Sequence, residues 1–186
     1  MSAETETFSV LSQKQLRICR IIFLILVILW MGTIFFFSSE TAEESSSLSG
    51  SVTEGLARFF FSSWFRPENA AQLRERMGKL EYLIRKGAHF TEYLVLGGLL
   101  ALFFSTIRMK YSLRIVISTL TGILYAVSDE FHQSFVDGRA MQGFDILVDS
   151  LGVLTGALIF SGISAMIIVS FARKRKERDA KLQRIS

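Results

Sequence analysis

Apolar and polar positions alternate in long blocks along this chain. IIFLILVILWMGTIFFF gives 17 residues without a charge; further apolar runs occupy residues 88–107 and about 111–127, and LGVLTGALIFSGISAMIIVSFA gives 22 uncharged residues near the end. Runs of this length cross a hydrocarbon core as helices. Lipid leaves backbone groups no other partner in an open spanning segment. The expectation is therefore an all-α integral membrane protein with four transmembrane helices, spans at 18–38, 88–107, 111–128 and 146–172, and amphipathic helices at the extracytoplasmic interface. The first run reads as an uncleaved anchor, because no small-residue cleavage site follows its three phenylalanines.

The connection 39–87 opens with the polar stretch SSETAEESSSLSGS, read as a linker. Ser51 and Glu54 then form a capping-box pattern ahead of GLARFFFSSWF, whose Phe59, Phe60, Phe61, Trp64 and Phe65 suit a segment lying in the interface. A second amphipathic helix starts at Pro67, with Leu73, Met77, Leu80 and Ile84 on one stripe and Arg74, Glu75, Arg76 and Lys79 opposite. It reads as a lid packed on the spans, with gating of a site beneath it as the alternative.

Lysine and arginine orient the chain. Lys14, Arg17 and Arg20 precede the first span, Arg108, Lys110 and Arg114 join the second to the third, and the tail 173–186 carries seven more. This places both termini in the cytoplasm. The same distribution, beside apolar runs, makes anionic lipid the partner of the basic residues and excludes nucleic acid. One cysteine, Cys19, excludes an intrachain disulfide and a Cys-based zinc site, and no motif calls for a cofactor.

Charge inside the apolar blocks changes the picture. RKGAHFTEYLVLGG puts His89, Glu92 and Tyr93 on one helical face, Asp129 and His132 stand at i and i+3, and Asp145 and Asp149 at i and i+4. Three helix ends thus deliver His89, Glu92, Asp129, Glu130, His132, Arg139, Asp145 and Asp149 to one membrane layer. Ionisable residues at such depth face a bundle interior and mark a functional site by default. The acids Glu92, Asp129, Glu130, Asp137, Asp145 and Asp149 outnumber Arg85, Lys86 and Arg139 by three. Arg139, whose planar fork can hold two carboxylates or a phosphate, is the expected centre of an ion-pair network.

FFFSSE with a serine-rich stretch, then RKGAHFTEYLVLG, then SDEFHQSFVDGRAMQGFDILVDSLGVLTG resembles the VanZ-like family of bacterial membrane proteins over most of residues 30 to 160. The most specific part is DE-x-HQ-x-F-V-x-GR followed by D-x3-D-x2-G-x3-G. The family's polar positions correspond to Lys86, His89, Tyr93, Asp129, Glu130, His132, Gln133, Gly138, Arg139, Asp145 and Gly152. Two positions depart: Asp137 stands where proline is common, and Asp149 where asparagine is frequent. The resemblance implies a bacterial plasma-membrane protein of the cell envelope. The family's named member is associated with low-level resistance to teicoplanin, a glycopeptide acting on cell-wall precursors at the outer face. No settled reaction comes with it.

Three functions remain open. The first is binding of an envelope component, a lipid-linked cell-wall precursor or glycolipid, through Lys86, His89, Glu92, Tyr93, Asp129, Glu130, His132, Gln133, Arg139, Asp145 and Asp149. The second is a membrane-embedded hydrolase or transferase, with catalytic candidates His89, His132, Glu92 and Asp129; the same four are weak candidates for metal ligands. The third is purely structural, with Arg139 neutralising Asp129 or Asp145 and His89 bonded to Glu92. The glycines and small residues Gly97, Gly98, Gly152, Gly156, Ser161 and Gly162 read as close helix contacts.

Overall fold

A computed structural model describes residues 12–61 and 70–183. Among the described residues it contains five helices and no strand: α1 (Gln13–Ser38), α2 (Ala42–Phe60), α3 (Ala70–Ser105), α4 (Tyr111–Gln133) and α5 (Gly143–Gln183). Four of them, all but α2, are long and apolar enough to cross a membrane. Trp64, Phe65 and Pro67, read above as interfacial aromatics and a helix start, lie outside the described residues.

Local chemistry sets the helix starts. Ser12 caps α1, its hydroxyl accepting from the Gln15 amide at 3.2 Å while the Gln15 side chain accepts from the Ser12 amide at 2.9 Å. The same reciprocal box opens α2 at Thr41 and Glu44, with Glu43 and Glu44 in the first turn where the helix dipole favours acids. These bonds from the Thr41 backbone and hydroxyl hold the Glu44 carboxyl below its ordinary range.

Two readings of the connection are corrected here. SSETAEESSSLSGS is not a linker: α2 begins at Ala42, because Thr41-x-x-Glu44 supplies the start signal one helical run earlier than Ser51-x-x-Glu54. Ser51 instead donates to the Ser47 carbonyl in mid-helix, and Glu54 pairs with Arg58 at 2.6 Å. The amphipathic stripe ending at Ile84 is also not a separate helix. It continues without a break into the apolar run as α3, whose 36 residues extend about 54 Å, well beyond a hydrocarbon core of about 30 Å.

The core is built on α3 and α5, which make the most extensive helix pair, with α4 against α5 and α1 against α3. Glycine permits the approach. A Cβ on Gly97 would meet the Val153 carbonyl, on Gly152 the Phe90 carbonyl, and on Gly156 the Leu94 carbonyl, so these backbones touch. Val153 also fills the space left by Gly122 of α4. Gly162 is different: a Cβ there would meet only the Tyr111 hydroxyl, at 4.0 Å, and no backbone of another helix. Around this seam Tyr93, Leu96, Leu100, Ala126 and Val153 are buried with Val27 and Ile34 of α1.

Two side chains fasten α1 to the bundle through backbone acceptors. Trp30 donates from Nε1 to the Glu92 carbonyl at 2.9 Å, and the Tyr125 hydroxyl donates to the Met31 carbonyl at 2.6 Å. Large apolar side chains elsewhere, such as Leu29 and Leu124, point outward, as lipid-facing residues do.

Between α4 and α5 the chain turns at Gly138, whose φ of 75° lies in the left-handed region that a glycine adopts without steric cost. The preceding Asp137 is exposed, and its carbonyl accepts the Ala42 amide at 3.3 Å. This contact ties the turn to the first residue of α2.

Candidate functional site

Each helix contributes one short arc of polar residues. From α3, Arg85, Lys86, His89 and Glu92 follow one another at helical spacing, with Tyr93 turned into the core. The last turn of α4 brings Asp129, Glu130 and Gln133, the turn brings Arg139, and the first two turns of α5 bring Asp145 and Asp149.

Lys86 and Asp145 form an ion pair with side chains 12% and 9% exposed. Asp149 is fully buried and stands 3.7 Å from Nδ1 of His89, too far for a hydrogen bond; neither of its oxygens has a hydrogen-bond partner among the described residues. Glu130 is also buried and accepts the Gln142 amide at 2.9 Å, fixing the start of α5. Gln133 donates to the Ser38 hydroxyl at 2.7 Å and lies 3.4 Å from Asp129. The Tyr93 and Ser38 hydroxyls approach the same Asp129 carboxyl, which keeps one oxygen without a well-aligned donor.

Two adjoining cavities open over this layer. The first, about 270 Å³, lies between α1, α2 and α3 and is lined by carbon-rich surface from Ile34, Phe37, Leu48, Val52 and Ile84, with Glu40, Glu92 and Asp129 on its polar side. The second, about 250 Å³, is more polar and is bounded by Lys86, Asp145, Gln142 and Tyr82. Ser45, Arg85, His89, Gln133 and Arg139 line both. Among the described residues neither Arg85 nor Arg139 makes an ion pair within 4.0 Å.

Several expectations change against this geometry. The ion-pair network is centred on Lys86, not Arg139. Lys86 reaches Asp145 from the neighbouring helix, whereas Arg139 sits on the turn and faces the cavities. His89 faces Asp149 on α5 and not Glu92, which lies on its own helix. The covering element is α2, whose Ser45, Leu48, Ser49 and Val52 form the cavity wall and whose Ser49 reaches Glu81 at 3.5 Å; the stripe on α3 lines the cavities from Tyr82 onward.

His132 is not brought to the cavities. Its ring stacks on Phe35 at 4.4 Å between centroids, and Nε2 lies 3.2 Å from the Ser39 hydroxyl. Grouping His89, Glu92, Asp129 and His132 as metal ligands fails for the same reason; among the described residues no three His, Cys, Asp or Glu side chains are placed to hold an ion. Tyr93, Glu130 and Asp149 lie behind the cavity wall, supporting it.

Sequence reasoning left out Ser38, Glu40, Ser45 and Ser49, and counted Arg85 only as a neighbouring base. Arg85 carried a signal: it stands four residues before His89 and seven before Glu92, on one face. The serines carried none, because they became site residues only through the course of α2.

Fold and site together define a multi-pass α-helical membrane protein with a buried ionic layer beneath paired cavities. The VanZ/LLP1 family profile matches residues 23–168, most of the chain. The chain belongs to the VanZ/LLP1 family. No curated protein and no solved structure matches it.

Proposed function

We propose that this membrane protein is a cell-envelope accessory that binds the anionic headgroup of an outer-leaflet envelope component, and by doing so lowers susceptibility to glycopeptides such as teicoplanin. The termini are cytoplasmic in this reading, and the cavities face outward. One observation carries it: Arg85 and Arg139 line both cavities without an ion pair among the described residues, while Lys86 is already matched by Asp145. Two uncommitted guanidiniums on one wall suit a phosphate or carboxylate, which a planar fork can grip at two oxygens. The carbon-rich cavity beside them suits the lipid part of the same molecule.

Binding of phosphatidic acid micelles to the purified full chain tests this. Each charge-assisted bond is worth roughly 1.5–3 kcal/mol, so Arg139→Ala or Arg85→Ala lowers affinity about tenfold or more. His132→Asn, at a residue that lines neither cavity, stays near wild type. Wild-type affinity in both arginine variants, with folded protein, refutes the reading. In cells, teicoplanin susceptibility of a deletion strain complemented with Arg139→Ala at matched abundance should equal that of the deletion strain.

A second reading, a hydrolase or transferase on a lipid-linked substrate, draws on His89, which turns Nδ1 toward buried Asp149 while its ring lines both cavities. That is the placement of a general base beside a positioning carboxylate. Under it, His89→Asn retains binding and loses turnover of a radiolabelled lipid-linked precursor.

A further inference from the structure

The two cavities sort charge. The polar one carries Arg85, Lys86 and Arg139 against a single acid, Asp145. The carbon-rich one carries three carboxylates, Glu40, Glu92 and Asp129, and shares the two arginines along the common wall. Asp129 is 3% exposed, and its Oδ1 has no hydrogen-bond partner among the described residues. The three carboxylates line a wall and do not converge as metal ligands do; no metal-holding group occurs among the described residues.

An anion alone would satisfy the arginines and leave these carboxylates facing a low-dielectric space, where an unmatched charge or an unbonded oxygen is costly. A ligand bearing an ammonium next to its phosphate matches both halves, since an ammonium supplies three donors to oxygens that accept only. We infer that the ligand is a zwitterionic amphiphile, its phosphate between Arg85 and Arg139 and its protonated amine against Glu40, Glu92 and Asp129. Its acyl part continues along Leu48 and Val52 of α2. The inference rests on the anion-binding reading above and adds the second charge of the headgroup.

The test uses the purified full chain in detergent micelles and three probes with the same acyl chain: lysophosphatidylethanolamine, lysophosphatidylglycerol and lysophosphatidic acid, titrated calorimetrically. The ethanolamine lipid binds about tenfold more tightly than the other two, a difference of about 1.4 kcal/mol. In Glu40→Gln/Glu92→Gln, which removes charge at nearly constant volume, the preference shrinks to within about threefold.

Equal binding of all three lipids that still depends on Arg139 overturns this inference and leaves the anion reading standing. A glycerol lipid that binds as tightly as the ethanolamine lipid also overturns it, because hydroxyl donors then suffice. A preference that survives in the double variant does the same. Binding indifferent to both arginine substitutions, or no binding of any probe, overturns the anion reading and this inference with it.

Discussion

Removing Lys86 exposes how the ionic layer is held together. Lys86 and Asp145 are about one-tenth exposed and belong to different helices, so their contact joins α3 to α5 just above the glycine seam. Two unit charges in contact at an effective dielectric near 20 attract by about 4 kcal/mol, and taking one away also leaves its partner buried without a counter-charge. Lys86→Met and Asp145→Leu should therefore each destabilise the bundle by about 3 kcal/mol, at the lower end of the range for breaking a buried pair because some solvent reaches both groups. Lys86→Met/Asp145→Leu together should return to within about 1 kcal/mol of wild type, since the desolvation cost of both charges disappears with them. Reversible unfolding of all four proteins in mixed micelles by SDS titration, followed by circular dichroism, closes the cycle. If the double variant is no more stable than the weaker single variant, the pair is not coupled and the account of the layer is wrong.

The seam itself makes a sharper steric prediction. A methyl group on Gly156 would overlap the Leu94 carbonyl oxygen and sit 2.8 Å from its carbon, so the α3 and α5 backbones must part, whereas Gly162 has open space. Gly156→Ala should cost about 1–3 kcal/mol in the same assay and Gly162→Ala less than about 0.5. Thr41→Ala removes the cap hydroxyl of α2 and should speed amide exchange at Glu44 and Ser45 roughly fivefold, read by hydrogen–deuterium exchange, with α4 unaffected. Glu44, held below its ordinary range, contributes its share of the cap at neutral pH and loses it as pH falls through that lowered value. Protection factors in the first turn of α2, referred to the intrinsic exchange rate at each pH, should therefore fall on acidification in wild type and change less in Glu44→Gln.

The helices crossing the bilayer were legible because apolar runs of 17 to 22 residues, even with an occasional charge, admit few other structures. So was the convergence of α3, α4 and α5, since acids and histidines inside such runs must turn inward. The partners of those acids were not legible. Whether Asp145 meets Arg139 or Lys86 depends on the rotation of α5 against α3, which Gly152 and Gly156 set by letting backbones touch; spacing along one helix carries no record of it. His132 was misplaced for a related reason. At i+3 from Asp129 it shares a broad face, yet the width of that face is enough for Phe35 of α1 to take the ring outside. The course of α2 was hidden by composition, because a serine-rich stretch reads as linker until Thr41 and Glu44 are paired as a cap.

Position 92 does two separable things. Its carbonyl receives the Trp30 indole and so docks α1, while its carboxyl lines the cavity. The docking bond reads only the main-chain carbonyl, which every amino acid supplies. Substitution at this position can therefore change the charge and shape of the cavity wall while α1, which forms part of that wall, stays anchored in register.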